Sequence, residues 1–176
     1  MWDFFTTVRH RHSVRHYHAD LPVEPEKLHA VLEAACAAPS AGDLQAYQII
    51  VITEPADREA LREVADNQSF ISEAPVCLVF CSDPYRSAAH FGDRGADLYA
   101  LQDATIAASY AQLAVVAAGL GSTWVGYFKE REVARLLELE AGMIPIALLS
   151  IGYPAELPDL TSRRPLGEVV RYRTAN

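Results

Sequence analysis

Cysteine is scarce in this chain of 176 residues, which has three, Cys36, Cys77 and Cys81. No two of them form a C-x-x-C pair, and their odd number argues against a disulfide framework and against a structural zinc site. Cys77 and Cys81 are four residues apart in an apolar, strand-like run, so we expect them to share one face of a sheet as small buried hydrophobes. This cysteine usage favours a reducing compartment.

Long uninterrupted hydrophobic runs are also missing. The longest candidate, residues 98–120, is interrupted by polar residues such as Gln102, Asp103, Ser109 and Gln112, whereas a membrane helix needs about 18 apolar residues. The N-terminal MWDFFTTVRH does not resemble a signal peptide, because its apolar part is short and basic residues follow it. We therefore expect no membrane association and a cytoplasmic location.

Lysine is rarer still, with two residues, and the net charge is −8. An acidic chain is a poor general binder of nucleic acid. The positive charge is nevertheless concentrated: seven of the 15 basic residues lie in two short terminal segments, Arg9, Arg11, Arg15, Arg163, Arg164, Arg171 and Arg173. If the fold brings its ends together, the result is one focused cationic site that suits a phosphate; the alternative is a set of solvated helix ends.

The length suits a single domain over residues 1–176 with a core of its own. Apolar runs of strand length occur at YQIIVIT, APVCLVFCS, STWVGYF and MIPIALLSIGYP, and helical periodicity at residues 3–10, 25–37, 54–66, 97–118 and 131–139. Few strands separated by helices predict a fold that mixes α and β around one sheet. The helix over 97–118 is nearly apolar all round, which is typical of a core centre or a subunit interface.

Four stretches, in order along the chain, resemble the FMN-dependent nitroreductase family. They are RHSVR at 11–15, APSAGDLQAY at 38–47, GLGSTWVGYF at 119–128, and IPIALLSIGYP followed by RRPLGEVV near the C-terminus. The resemblance covers nearly the whole chain. It implies an α+β fold with a mostly antiparallel sheet flanked by helices, assembled as a homodimer that binds FMN between its subunits.

The activity implied by the resemblance is transfer of a hydride from NAD(P)H through flavin N5 to a flat, electron-poor acceptor such as a nitroaromatic or a quinone. One flavin face serving both substrates in turn implies ping-pong kinetics. The flavin carries the chemistry, so no catalytic side chain is expected. Related chemistries, reductive dehalogenation or oxygen-dependent flavin fragmentation, and a flavin-binding protein without turnover, stay open as alternatives.

The RHSVR motif supplies groups suited to a dianionic phosphate. We assign Arg11 and Ser13 to the phosphate, because a guanidinium gives bidentate, permanently charged recognition, with His12 beside them. The resemblance places Arg15 at the pyrimidine edge of the flavin, where a cation stabilises the charge of the reduced ring. From the C-terminal segment, Arg164, and also Arg163, should complete this clamp.

The loop at 38–47 is implied to pack against FMN from the partner subunit. The residues assigned to this contact are Pro39, Ser40, Ala41 and Asp43. Asp43 stands where the family usually has Asn, and an ionised carboxylate only accepts hydrogen bonds, so a donor role toward the flavin is in doubt. The alternative is an ordinary loop that ends a helix.

The remaining flavin contacts are implied by the resemblance at two further stretches. Asn67 is matched to the pyrimidine edge, with Gln68 as the second choice and a polar turn as the alternative. In GSTWVG, the backbone of Val125 and Gly126 is assigned to flavin N5 and O4, with Thr123 and Trp124 lining its face; a buried strand describes the same stretch.

A lid and a metal site are the last two questions that the sequence raises. Residues 83–97, where longer family members carry a lid, are brief and polar, which predicts an open site with Tyr85 and Phe91 beside the substrate. The histidines His10, His12, His16 and His18 match no common ligand spacing, so we expect no metal.

Overall fold

The computed structural model describes residues 3–159 and 161–173. Within them the chain forms a four-stranded antiparallel sheet in the order β1-β2-β4-β3. The strands are β1 (Tyr47–Ile52), β2 (Val76–Ser82), β3 (Gly121–Val125) and β4 (Ile144–Gly152). The predicted α+β class and antiparallel sheet are confirmed.

Helices cover both faces of the sheet. They are α1 (Phe4–His10), α2 (Pro25–Cys36), α3 (Pro55–Val64), α4 (Phe70–Glu73), α5 (Pro84–Arg94), α6 (Ala100–Ala117), α7 (Glu130–Leu136) and α8 (Leu166–Val169). Proline occupies the first turn of α2, α3 and α5, where its missing N–H costs no hydrogen bond. No helix in the described part of the chain is long and apolar enough to cross a membrane.

The core lies in two layers, one on each side of β2, whose seven residues are all buried. Leu78 and Phe80 pack with α2 and α6, whereas Cys77, Val79 and Cys81 pack with α3, α4 and α7. The prediction that Cys77 and Cys81 share one sheet face is confirmed. A strand buried on both faces reads as a continuous apolar run, which is why the sequence identified β2 so clearly.

Residues 83–99 differ from the sequence prediction. This brief, polar segment, to which the sequence analysis assigned no helix, forms α5, because the Asp83 side chain caps the helix by accepting from the Arg86 N–H at 3.0 Å and Pro84 starts it. A π-helical turn, Gly95–Tyr99, then leads into α6, which begins at Ala100 rather than Asp97. The helix is bent at Gly92, whose φ of 59° and ψ of −147° suit glycine alone.

The two ends of the chain run side by side. Tyr17 pairs with Pro154 in an antiparallel bridge, the His18 N–H donates to the Tyr153 carbonyl, and the Ala155 N–H donates to the His16 carbonyl, both at 2.9 Å. The polar C-terminal segment therefore leaves β4 next to the segment that follows α1. This pairing brings the two arginine-rich segments to the same region of the surface.

Candidate functional site

The RHSVR segment, residues 11–15, lies against the start of β3. Ser13 forms a parallel bridge with Ser122, and the Val14 N–H donates to the Ser122 carbonyl at 3.0 Å. Gly121 makes this approach possible, because a Cβ there would lie 2.7 Å from Val14 Cγ2. The glycine that ends the sequence motif GLG therefore seats the N-terminal segment on the sheet.

A buried hydrogen-bond network also holds the RHSVR segment in place. The Val14 carbonyl accepts from Tyr17 Oη at 2.8 Å and also from Thr123 Oγ1, and Tyr17 Oη reaches the Ser150 carbonyl at 3.2 Å. Burial raises the pKa of Tyr17 to about 12. Thr123 is 2 % exposed and its hydroxyl is bonded to Val14, so its side chain braces the segment; its assignment to the flavin face stays a prediction.

The same segment lines a cavity of about 110 Å³, here called the cationic pocket. Its walls come from both ends of the chain: Arg11, His12, Ser13, Arg15, Pro158, Asp159 and Thr161. In the residues that the structure describes, Arg11 and Arg15 form no ion pair within 4 Å, and neither does Asp159. Two arginines and a serine thus line one small space together with Asp159, which is not paired with either arginine.

Arg163 adds its charge to this pocket. Burial lowers the pKa of Arg11, and the nearby charge of Arg163 lowers it further, as expected for like charges held close together. Arg163 Nη1 is anchored by the Thr161 side chain at 2.6 Å. A bound anion would reduce the repulsion between these two positive charges.

The two C-terminal arginines differ in their contacts. Arg164, placed first by the sequence, lies beside Glu168 of α8, with Nε to Oε2 at 3.4 Å and Nη2 to the Glu168 carbonyl at 3.1 Å. Arg163 is the residue whose charge acts on Arg11. Thr161 was not identified from the sequence, although its position two residues before Arg163 in TSRR was a usable signal.

The loop at 38–47 does not line the cationic pocket of its own chain. Its centre is a 3₁₀ turn, Ala41–Asp43, and α5 packs on it: Phe91 Cζ lies 3.0 Å from where a Cβ on Gly42 would stand, and Arg86 Nε donates to the Leu44 carbonyl at 2.5 Å. Pro39, Ala41 and Asp43 therefore contribute to the Arg11 pocket only if a second subunit presents them, which the family resemblance implies.

Phe91 and Tyr85, expected beside the substrate, have contacts within this chain. Phe91 packs edge-on against Tyr99 with ring centroids 5.2 Å apart and covers Gly42. Tyr85 lies against Gly142, so closely that a Cβ there would overlap its ring, yet the side chain is 70 % exposed. The segment at the position of the lid in longer family members, α5, is thus a helix packed on its own chain.

The far end of β3 carries the second half of the candidate site. Gly126 is exposed and, with Phe128, Ile144 and residues of α5 and α6, lines an open cavity of about 510 Å³. At about 3.3 Å per residue, β3 carries the chain roughly 13 Å from Ser122, beside Ser13, to Gly126. The side chain of Val125 is buried, while Trp124 is half-buried against the opposite core layer.

Of the two amide residues, Gln68 rather than Asn67 reaches this end of β3. Gln68 Nε2 donates to the Ala65 carbonyl at 2.9 Å and lies 3.4 Å from the Tyr127 carbonyl. Asn67 is exposed in a turn with φ 54°. The second choice of the sequence prediction is therefore the one next to Gly126, and Asn67 remains a prediction for the flavin edge.

The donor set fits a flavin mononucleotide. At one end of β3, the arginines and the Ser13 hydroxyl match the phosphate of FMN. At the other end, the open cavity at Gly126 matches the flavin ring, and the distance between the two ends suits the ribityl chain that joins phosphate and ring. In the described residues, no group of three or more His, Cys, Asp or Glu could hold a metal ion.

Comparisons with known proteins point to one family. The model of the nitroreductase family matches residues 8–68 and 64–153. A protein of Thermus thermophilus named NADH dehydrogenase is 35% identical over 97% of this chain and 96% of its own length. The oxygen-insensitive NADPH nitroreductase of Salmonella typhimurium is 33% identical over 90% of this chain and 68% of its own.

The solved structures give the same result. The NADPH:FMN oxidoreductase from Vibrio harveyi, determined in complex with NAD⁺, superposes with a TM-score of 0.87 at 28% identity, covering 98% of this chain and 79% of that one. The fold of this chain, with its sheet and surrounding helices, is therefore the fold of that flavin enzyme.

Proposed function

Because this chain belongs to the nitroreductase family, we propose that it is an FMN-dependent oxidoreductase that uses NAD(P)H to reduce flat, electron-poor acceptors such as nitroaromatics or quinones. The observation that carries the proposal is one small pocket lined by Arg11, Ser13 and Arg15, with the charge of Arg163 close enough to repel that of Arg11. A phosphate monoester with two negative charges offsets that repulsion.

In this proposal, Arg11 and Arg163 bind the phosphate from two sides. Ser13 donates its hydroxyl to the same oxygens, and His12 closes the pocket beside them. Because Val14 is pinned by Tyr17 and Thr123, these donors are fixed before the phosphate arrives. A site organised in advance loses less entropy when it binds.

FMN, when bound, would supply the redox centre that takes electrons from NAD(P)H and gives them to the acceptor. Arg15, which lines the cationic pocket and is exposed, would reach from there to the pyrimidine edge and stabilise the negative charge of the reduced ring. The exposed backbone at Gly126 is available to N5 and O4. No side-chain acid or base is part of the proposal.

We also propose that the active unit is a homodimer. Phe4 and Phe5 of α1 are 65% and 69% exposed, and Leu101 and Tyr110 of α6 are 44% and 43% exposed. Phe4 and Tyr110 line one apolar surface cavity between α1, α2 and α6, and an apolar surface of this kind is typical of a subunit interface. The partner would bring Pro39, Ser40, Ala41 and Asp43 to the flavin.

Two further proposals concern the whole chain. Residues 1–176 would form one domain in each subunit, and the enzyme would work in the cytoplasm, since Cys36, Cys77 and Cys81 are all free thiols of the kind that a reducing compartment maintains.

The proposed activity is tested with the purified protein and its visible spectrum. We expect a flavin spectrum that bleaches without oxygen when NADH or NADPH is added and returns with a nitroaromatic or a quinone. A flavin spectrum that neither nicotinamide bleaches indicates a flavin-binding protein without turnover. A protein that neither contains FMN nor takes it up contradicts both.

A further inference from the structure

Asp103, in the first turn of α6, is an acidic residue buried at 2% exposure. Its carboxylate accepts two backbone N–H groups from the loop at 38–47: Oδ1 from Ala41 at 2.9 Å and Oδ2 from Ala46 at 3.3 Å. In the described residues it forms no ion pair within 4 Å. A carboxylate with no countercharge is costly to bury, and here its hydrogen bonds all go to one loop.

The loop that Asp103 holds has an unusual backbone. Gly42, Asp43 and Gln45 all have positive φ, at 57°, 55° and 48°, a conformation that side-chain-bearing residues adopt at a cost. Local bonds contribute: the Asp43 N–H donates to the Ser40 carbonyl at 3.2 Å, and the Gln45 N–H donates to Ser40 Oγ at 2.9 Å. Such backbone persists only when surrounding structure fixes it.

The two Asp103 bonds bracket the strained residues. Ala41 precedes Gly42 at the start of the 3₁₀ turn, and Ala46 follows Gln45 just before β1. One side chain on a long core helix thus sets the positions of both ends of the loop. In the middle of the loop, Phe91 packs on Gly42, whereas Asp43 is exposed and available to a partner subunit.

We propose that Asp103 is a positioning residue for flavin binding: by accepting from Ala41 and Ala46, it holds the loop in the shape that packs against FMN. The proposal rests on the proposed function, because it takes the loop to be the FMN contact. Asp103 lines neither the cationic pocket nor the cavity at Gly126. Its effect passes through the backbone of the loop.

The chemistry of the side chain gives a sharp test. An ionised carboxylate accepts at both oxygens, whereas an amide accepts at one and donates at the other. In Asp103→Asn, a donor would therefore face either the Ala41 or the Ala46 N–H, and one end of the loop would be released. If Asp103→Asn does not fold, Asp103→Ser is used in its place, because a serine hydroxyl can rotate and does not fix a donor against these two N–H groups. Gln102→Ala, at the exposed neighbouring position on α6, is the matched control.

Two readouts separate positioning from general stability. In flavin-free protein, hydrogen exchange at the Ala41 and Ala46 amides should be faster in Asp103→Asn and unchanged in Gln102→Ala, while amides of β2 stay protected. In a fluorescence titration with FMN, at a temperature where far-UV circular dichroism shows every variant folded, the Kd of Asp103→Asn should rise at least about tenfold, with altered visible circular dichroism of the bound flavin.

The possible results are distinguishable. A Kd within about twofold of wild type, or exchange at Ala41 and Ala46 that does not change, overturns the role of Asp103 and leaves the proposed function standing. A wild-type protein that binds no FMN overturns the proposed function, and the positioning role with it. A higher Kd for FMN together with faster hydrogen exchange confined to the loop supports the proposal.

Discussion

Arg163, near the end of the chain, lies close enough to Arg11, near its start, that its charge adds to the effect of burial in lowering the pKa of Arg11. The pairing of Tyr17 with Pro154 creates this proximity. Folding therefore works against Coulomb repulsion at this point, and an anion bound between the two guanidinium groups turns the same arrangement into a stabilising one.

Arg11→Ala should weaken FMN binding by about 2 kcal/mol, or roughly 30-fold in Kd, because a partly buried phosphate charge loses its partner. The measurement is a fluorescence titration of flavin-free protein. Arg9→Ala, an exposed arginine in the last turn of α1, is the control and should bind as wild type does. Equal losses in the two variants would mean that general electrostatics, not a specific clamp, attracts the flavin.

Arg163→Ala should raise the Kd for FMN about tenfold, whereas Arg164→Ala should change it by less than about twofold. The reason is that Arg164 lies at Glu168 while Arg163 acts on Arg11. The two variants remove the same charge from adjacent positions, so they control for each other in one titration series. The opposite order would restore Arg164 to the clamp, as the sequence alone had it.

Alkaline pH should destabilise the protein partly through Tyr17. Its pKa is about 12 in the folded chain against 10.0 in its ordinary state, so the unfolded chain loses the proton first. The contribution to stability is complete below pH 10 and is lost as the pH rises toward 12, on the order of 2–3 kcal/mol in total. Burial also raises the pKa of Cys77 and Cys81 to about 12, which adds to the same decline.

Urea unfolding between pH 8 and pH 12 measures this decline. Tyr17→Phe should make the slope shallower and should also cost about 1 kcal/mol at neutral pH, through the lost bonds to Val14 and Ser150. Tyr172→Phe, at a side chain that is 80% exposed, should leave both unchanged. An unaltered slope in Tyr17→Phe would assign the alkaline transition to other groups.

Gly42→Ala should lower the free energy of unfolding by about 1 kcal/mol or more. Gly42 has a φ of +57°, and the added Cβ would stand 3.0 Å from Phe91 Cζ, so both strain and crowding act. Gly167→Ala is the control, because that glycine has open space and lies in α8, where alanine favours the helix. Thermal unfolding of the two variants measures the difference. Equal midpoint temperatures would show that α5 shifts to accommodate the added methyl group without loss of stability.

The proposed dimer predicts that Tyr110→Arg forms monomers, since a charge would be buried in the α1–α6 surface. Light scattering after size exclusion measures the mass. Tyr172→Arg, on the exposed C-terminal segment, tests whether any charged residue has this effect. A monomeric wild type would contradict the proposed dimer directly.

Much of the architecture was predictable from local signals. β2 and β4 are continuous apolar runs, and Pro25 and Pro55 mark helix starts; the flavin contacts assigned to the RHSVR and GSTWVG motifs stay predictions. The α5 helix was missed although its signal, Asp83 followed by Pro84, was present, because the polar composition of residues 83–97 favoured a loop.

The sequence by itself determined the α+β class, the family and the chemistry of the cofactor donors, because periodicity and residue type are local properties. Only the tertiary structure decided which donors meet. It brought the charge of Arg163 close to Arg11, paired Arg164 with Glu168, buried Thr123 against Val14, brought Gln68 to Tyr127 and bonded Asp103 to the loop at 38–47. These choices depend on contacts between residues far apart in the chain, and such contacts are set by how the helices pack on the sheet.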